Sequence, residues 1–310
     1  MNGQSTPDPR TFAEKLGGRF VMTAEVAPPL SCDARDLLAK AAPLSGLADA
    51  VNVTDGAGAR AHMSALASAS LLLGAGMEPI LQLTCRDRNR IALQSDLMGA
   101  AALGIRNLLV LTGDDPKAGD QPDAKPVFDV DSKTLIETAR RLRDEGELPN
   151  GRKVAGEAAF FLGAADMPID PPGGWQPKPL IAKMAAGAQF VQTQFCMDAG
   201  IVRRYAAALA QAGLTQKLAI LIGVNPLRSA KSAQWMKKNL FGTIIPDAFV
   251  ARMEKAEDPA REGIQICVEF IEELSTIPGI AGVHIMAPGN DTAIPEVIAQ
   301  ARRRVPKAAI

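Results

Sequence analysis

Histidine is nearly missing from this 310-residue chain, which has His62 and His284 and no other. Two imidazoles cannot build a three-histidine metal centre, and carboxylates are too common to argue for one, so no metal site is expected. Neither sign of charge is in excess, with 34 Lys+Arg against 34 Asp+Glu. Nucleic acid, whose recognition needs a cationic surface, is therefore not an expected partner, and neither is an anionic membrane. The four cysteines, Cys32, Cys85, Cys196 and Cys267, have no CxxC or similar ligand spacing, which favours reduced thiols. No stretch approaches the ~18 uninterrupted apolar residues of a membrane span. The polar N-terminus, "MNGQSTPDPRTFAEKLGG", has no signal-peptide core, so a cytoplasmic location is expected. The fingerprints GxGxxG and GxxxxGKS/T are absent too, which argues against a dinucleotide crevice or a P-loop.

What the chain does have is apolar material, 47% of its residues, enough for a large core. Short β-branched or leucine-rich runs recur: "FVMTAEV" (20–26), "AVNVT" (50–54), "PILQLTC" (79–85), "NLLVLT" (107–112), "AAFFLGA" (158–164), "QFVQTQF" (189–195), "LAILIGV" (218–224) and "AGVHIMA" (281–287). Between them lie Ala- and Leu-rich stretches with helical spacing, several closed by a glycine suited to a left-handed C-cap. Eight such units without a Gly/Ser/Pro linker predict an α/β fold, a (β/α)8 TIM barrel, over residues 18–310, with residues 1–17 a flexible N-terminal segment. Three stretches break the rhythm, at 114–131, 166–179 and 240–275. The last predicts extra helical insertions, and all three follow strands, which crowds them at the C-terminal face where barrels carry chemistry.

Polar residues in or after strands are the candidates. Glu25 interrupts an apolar strand, where burial favours the neutral, proton-donating form, although a solvated or lysine-paired carboxylate fits the same position. Asp114 reads equally as a turn former in Gly-Asp-Asp-Pro or as a cleft carboxylate. Gln192 and Gln194 share one face of their strand because side chains alternate. Gln82 and Gln194 read as core amides or as ligands. His284 reads as a hydrogen-bonded core residue, Trp175 as a cover over apolar surface, and "RRLR" (140–143) as a solvated helix face.

Six of these stretches, in register over about residues 18–300, together resemble the 5,10-methylenetetrahydrofolate reductase family. They are "TAEVAPP", "VNVTDGAGA", "LQLTCRD", "GIRNLLVLTGDDP", "KMAAGAQFVQTQF" and "ILIGVNPLRS". The resemblance implies a cytoplasmic homo-oligomeric flavoprotein of one-carbon metabolism and methionine biosynthesis. In it FAD, reduced by NADH or NADPH, passes hydride to 5,10-methylenetetrahydrofolate and gives 5-methyltetrahydrofolate. The reverse direction would serve methyl-group catabolism. It implies that Glu25 is the general acid and that Asp114 hydrogen-bonds the pterin beside the flavin, both catalytic. Gln194 and Asn290 would join them in binding folate. Thr54, Gln82, Thr112, Gly113, Asp114, Phe128, Ala164 and Lys183 would bind the cofactor.

Departures from the family pattern accompany the matches. Thr112 replaces a common arginine and Gln82 a common histidine, Pro179 stands for an asparagine, and Met286 and Asn290 stand for a tyrosine and an arginine. These departures keep two rivals in view, a flavin-independent reductase and a non-catalytic folate-binding or assembly subunit.

Overall fold

The computed structural model describes residues 10–305. A short helix, α1 (Phe12–Leu16), precedes eight parallel strands: β1 (Val21–Val26), β2 (Val51–Val53), β3 (Pro79–Thr84), β4 (Asn107–Leu111), β5 (Phe161–Asp166), β6 (Phe190–Phe195), β7 (Ala219–Val224) and β8 (Ile280–Ile285). They pair in sequence order, and β8 returns to β1 to close a TIM barrel. The outer ring comprises α2 (Ala34–Ala41), α3 (Ala65–Gly74), α4 (Arg90–Ala102), α5 (Ser132–Glu145), α6 (Lys178–Ala186) and α7 (Ala199–Gln211). The insertion before β8 holds α8 (Ala230–Asn239), α9 (Asp247–Glu254) and α10 (Pro259–Leu274), and α11 (Ile294–Arg304) ends the ring. Among the described residues no helix is long and apolar enough to cross a membrane.

Strand alternation sorts the side chains into two populations. Met22, Ala24, Val26, Leu81, Leu83, Leu108, Val110, Leu162, Ala164, Ile220 and Ile222 face outward into the main core under the helices. The opposite parity faces the barrel axis. Its lowest layer is apolar, with Val21, Ala50, Ile80, Leu109, Phe190 and Leu221 packed around Phe12. The Phe12 ring meets Phe190 edge-on at 5.3 Å, and Phe190 stacks on Phe161 at 5.1 Å. Gly163 makes this possible, since a Cβ there would collide with the Phe190 ring.

Within the stretch expected to be a flexible segment, 1–17, residues 12–16 form α1 and Phe12 is its anchor. Thr11 and Glu14 form a reciprocal capping box that starts α1, and this satisfies its first backbone donors. Glu78 Oε1 accepts from Phe12 N at 2.6 Å, and the Phe12 side chain is 0% exposed. Residues 1–9 lie outside the described residues. A cavity of about 680 Å³ beside α1 is rich in Arg and Lys. Much of that charge is already matched, because buried Asp49 holds Arg19 and Arg302 at 2.6 and 2.9 Å, and Lys15 lies 3.6 Å from Glu78.

Candidate active site

A cleft of about 610 Å³ opens over the C-terminal ends of the strands. Eight of the residues singled out in the sequence line it: Glu25, Thr54, Gln82, Thr112, Gly113, Asp114, Lys183 and Gln194. They come from β1, the end of β2, β3, the turn after β4, α6 and β6, so only closure of the barrel brings them together. Leu109 belongs both to the apolar plug and to the cleft lining, which places the site directly above the plug.

Three others do not line the cleft. Ala164 is fully buried with its side chain among the outward-facing set, and its neighbour Ala165 lines the cleft instead. Phe128 is 42% exposed with φ +41°. It is drawn toward the start of α4 because Val127 N donates to Arg86 O at 2.7 Å and Asp129 binds Arg90 at 2.7 Å. Asn290 spends its amide on Pro226 O at 3.0 Å, tying the loop after β8 to the loop after β7.

Polar side chains occupy the middle of the barrel interior. Gln192 Nε2 donates to Thr23 Oγ1 and to Asn52 Oδ1, both at 3.0 Å, and Asn52 Nδ2 returns a bond to Gln192 Oε1 at 2.5 Å. Thr23 Oγ1 lies 3.0 Å from His284 Nδ1 and 3.3 Å from Val283 O. His284 is therefore a hydrogen-bonded buried histidine, yet it also reaches the cleft, with Nε2 3.7 Å from Glu25 Oε2. Thr23 has one proton to give. When it goes to Val283 O, Nδ1–H of neutral His284 donates to Thr23 and the Nε2 lone pair faces Glu25.

The turn after β4 is built around Gly113 and Arg86. Gly113 has φ +96°, and a Cβ there would lie 2.9 Å from Arg86 Cβ and 3.2 Å from Thr84 Cβ. The Arg86 guanidinium, almost fully buried, donates to Gly56 O at 3.2 Å, to Asp114 O at 3.4 Å and to Asp87 at 2.8 Å. Hydrogen bonding to Asp87 raises its pKa and holds it charged. Asp114 Oδ2 in turn accepts from Gly58 N at 3.1 Å. The loops after β2, β3 and β4 are thus stapled together, and Asp114 is fixed at the cleft. Asp115, by contrast, caps the following turn by accepting from Lys117 N at 2.9 Å.

On the far wall, Lys183 Nζ donates to Ala165 O at 2.6 Å. Burial pushes this ammonium below its usual pKa, and Asp166 pulls it partly back. Asp166 itself is raised by burial, against the opposing effect of the Tyr205 hydroxyl that donates to its Oδ2. Both groups are poorly solvated and close enough to influence each other. Trp175 lies 6.1 Å from the Tyr205 ring as part of the cover over this corner. Thr54 is buried, and its Oγ1 has no hydrogen-bond partner within the described protein.

Arg86, Asp166, His284 and Phe241 line the cleft without having been assigned to it from sequence. Arg86 had a signal, a charge directly after the "LQLTC" strand. Asp166 was hidden by a strand boundary drawn at 164, although β5 runs on to Asp166. Phe241 lies in the insertion before β8 and carried no signal.

A family model described as methylenetetrahydrofolate reductase matches residues 11–302. A Caenorhabditis elegans protein described as a probable methylenetetrahydrofolate reductase (NADPH) is 26% identical over 240 residues, 74% of this chain and 33% of its own length. The chain thus spans about a third of that relative. Among solved structures, an uncharacterized Clostridium thermocellum protein described as binding two copies of 5-methyl-5,6,7,8-tetrahydrofolic acid superposes with a TM-score of 0.62 at 15% identity, covering 94% of this chain and 97% of its own. An EDTA monooxygenase from a Chelativorans species gives 0.55 at 14% identity, covering 93% and 95%. At such identities these two likenesses speak for the barrel alone. The family match over nearly all of the described chain is of a different order, and by it the chain belongs to the methylenetetrahydrofolate reductase family.

Proposed function

We propose that the cleft reduces 5,10-methylenetetrahydrofolate to 5-methyltetrahydrofolate with NADH or NADPH as the source of hydride, through FAD. The observation that carries this reading is the convergence of Glu25, Asp114, Gln194, Lys183 and Thr54 on one cleft. Reduction requires one proton as well as one hydride, because opening the five-membered ring of the substrate leaves a basic nitrogen. Glu25 supplies that proton as a general acid, and His284 next to it holds or returns the proton between turnovers. Asp114, anchored by Gly58 N, and Gln194, which both donates and accepts, hold the pterin edge. The 5-methyl-tetrahydrofolic acid held by the Clostridium thermocellum protein is of the same ligand class.

The residues present fit a flavin in part. The partnerless Thr54 hydroxyl, the buried Gln82 and Lys183 suit the polar edge and ribityl or phosphate oxygens of such a cofactor. A bound flavin would carry hydride between the nicotinamide and the folate. Lys183 would neutralise a phosphate, which would return its own pKa toward the ordinary value. Against this, Ala164 and Phe128 are turned away and Thr112 brings no guanidinium, although Arg86 brings one close to the same turn.

Those losses favour a second reading, in which nicotinamide gives hydride directly to the folate at the same acid. Rapid mixing of the purified protein separates the two. The first requires flavin absorbance near ~450 nm that bleaches with a reduced nicotinamide and returns with methylenetetrahydrofolate. Full activity from a colourless protein would establish the second, and absence of any folate-dependent oxidation would overturn both.

A further inference from the structure

We propose that Thr23 is a positioning residue for the proton chemistry of the cleft: its hydroxyl holds His284 with the ring proton on Nδ1, so that Nε2 is the one basic nitrogen and faces Glu25. The inference rests on the reading of Glu25 as the general acid. Thr23 and His284 lie opposite each other in the register of β1 and β8, and both are buried.

The contacts around Thr23 Oγ1 select the tautomer. A hydroxyl has one proton and two lone pairs. Gln192 Nε2 donates to it at 3.0 Å, His284 Nδ1 lies at 3.0 Å and Val283 O at 3.3 Å. Val283 O can only accept, so the Thr23 proton goes there and the two lone pairs are left for two N–H donors. One donor is the Gln192 amide and the other is Nδ1–H, which satisfies all three contacts. With the ring proton on Nε2 instead, Thr23 would have to donate to Nδ1 and Val283 O would lose its share.

The brace behind Thr23 is itself fixed. Gln192 and Asn52, both buried, exchange hydrogen bonds at 3.0 and 2.5 Å. Neither amide can turn over alone without setting donor against donor and acceptor against acceptor. The network also gives a proton no way out, because beyond Nδ1 lie only a hydroxyl, two amides and a backbone carbonyl, none of them a base near neutral pH. Proton exchange is therefore confined to Nε2, 3.7 Å from Glu25 Oε2. Among the described residues Glu25 is the only carboxylate paired with the imidazole. Once Glu25 has protonated the substrate nitrogen it is a carboxylate. Nε2 takes a proton from water in the cleft, and the imidazolium passes it to Glu25, restoring both the acid and the neutral Nδ1–H ring. A neutral ring already protonated on Nε2 could not accept that proton on the side facing Glu25.

The test is proton–nitrogen correlation spectroscopy of isotopically labelled protein in a His62→Gln background, which leaves His284 as the only ring to observe. The pH is raised until the ring signals stop changing. The expected spectrum has Nδ1 protonated and Nε2 bare. Thr23→Val, which removes the hydroxyl and keeps the shape, is expected to admit the Nε2–H form. It should also lower kcat of folate-dependent nicotinamide oxidation about tenfold at unchanged KM, the weight of one buried hydrogen bond. Thr23→Ser should restore both readouts. An Nε2–H ring with Thr23 in place, a Thr23→Val protein that keeps the Nδ1–H form or full kcat, or a Thr23→Ser protein as impaired as Thr23→Val overturns the assignment. A locked Nδ1–H ring in a protein without folate-dependent turnover supports the tautomer and overturns the reductase reading alone.

Discussion

Glu25 Oε2 lies 3.7 Å from His284 Nε2, a pair formed across neighbouring strands β1 and β8 and backed by Thr23, Gln192 and Asn52. The carboxyl and the imidazole both line the cleft. Glu25→Gln keeps the shape and removes the proton. Folate-dependent oxidation of NADH or NADPH should fall by about 10²–10⁴-fold. Near-wild-type turnover in this variant would remove Glu25 from its role.

His284→Asn tests the partner. It keeps a polar side chain beside Thr23 and removes the only imidazole at the cleft. If His284 exchanges the proton with Glu25, the pH profile of kcat changes shape, whereas a merely structural role lowers kcat with the profile intact. Rates measured across pH in the two proteins decide between these outcomes.

Asp166 gives stability a pH dependence with a definite sign. Burial raises its pKa above 3.8. From 3.8 up to the raised value the native state holds more protons than the unfolded state, so unfolding free energy falls as pH rises, and the cost is complete above the native pKa. Asp166→Asn should flatten that fall. Tyr205→Phe removes a hydrogen bond that holds the pKa down, so the fall should extend to higher pH. Urea unfolding across the acid range reads both variants.

The fold was legible because parallel strands buried on both faces read as apolar runs, and all eight appear in the sequence. The polar interruptions Glu25, Gln82, Gln194 and His284 marked the inner face, and the cleft lies there. Parity and long-range packing were not legible. Ending β5 early left its alternation unread, and one residue separates outward Ala164 from inward Ala165. Phe128 and Asn290 are placed by contacts with Arg86, Arg90 and Pro226 that no local pattern reports. The Thr11–Glu14 capping box lies within "TFAEKL", and its purpose, burying Phe12, depends on strands that come later in the chain.

Gly113→Ala should be disproportionately harmful for one methyl group. The residue would have to occupy φ +96° with its Cβ 2.9 Å from Arg86 Cβ. A cost of about 1–3 kcal/mol is expected from the backbone alone. The same displacement moves Asp114, so thermal unfolding and folate affinity should worsen together. A variant as stable and active as wild type would show that the turn tolerates rearrangement.

The thiols should divide sharply. Cys32 is exposed, while Cys85, Cys196 and Cys267 are buried. Burial pushes Cys85 and Cys196 up to about 11, and Cys267 higher still. At about pH 8 a thiol reagent should titrate one group rapidly in native protein and four after denaturation. Two fast groups would contradict the burial of the helix-facing cysteines.

The rings of Phe12, Phe161 and Phe190 close the barrel from below, which leaves the interior a single mouth. The cleft of about 610 Å³ lies above them. A spent nicotinamide would have to leave by that mouth, under the proposed flavin chemistry, before the folate could take its place. Under the proposed flavin chemistry that order leaves a kinetic imprint: initial rates plotted for the two ligands give parallel double-reciprocal lines, and each ligand in excess inhibits by occupying the other's place. A phenylalanine in a segment that reads as an ordinary polar tail thus seals the floor beneath the cleft.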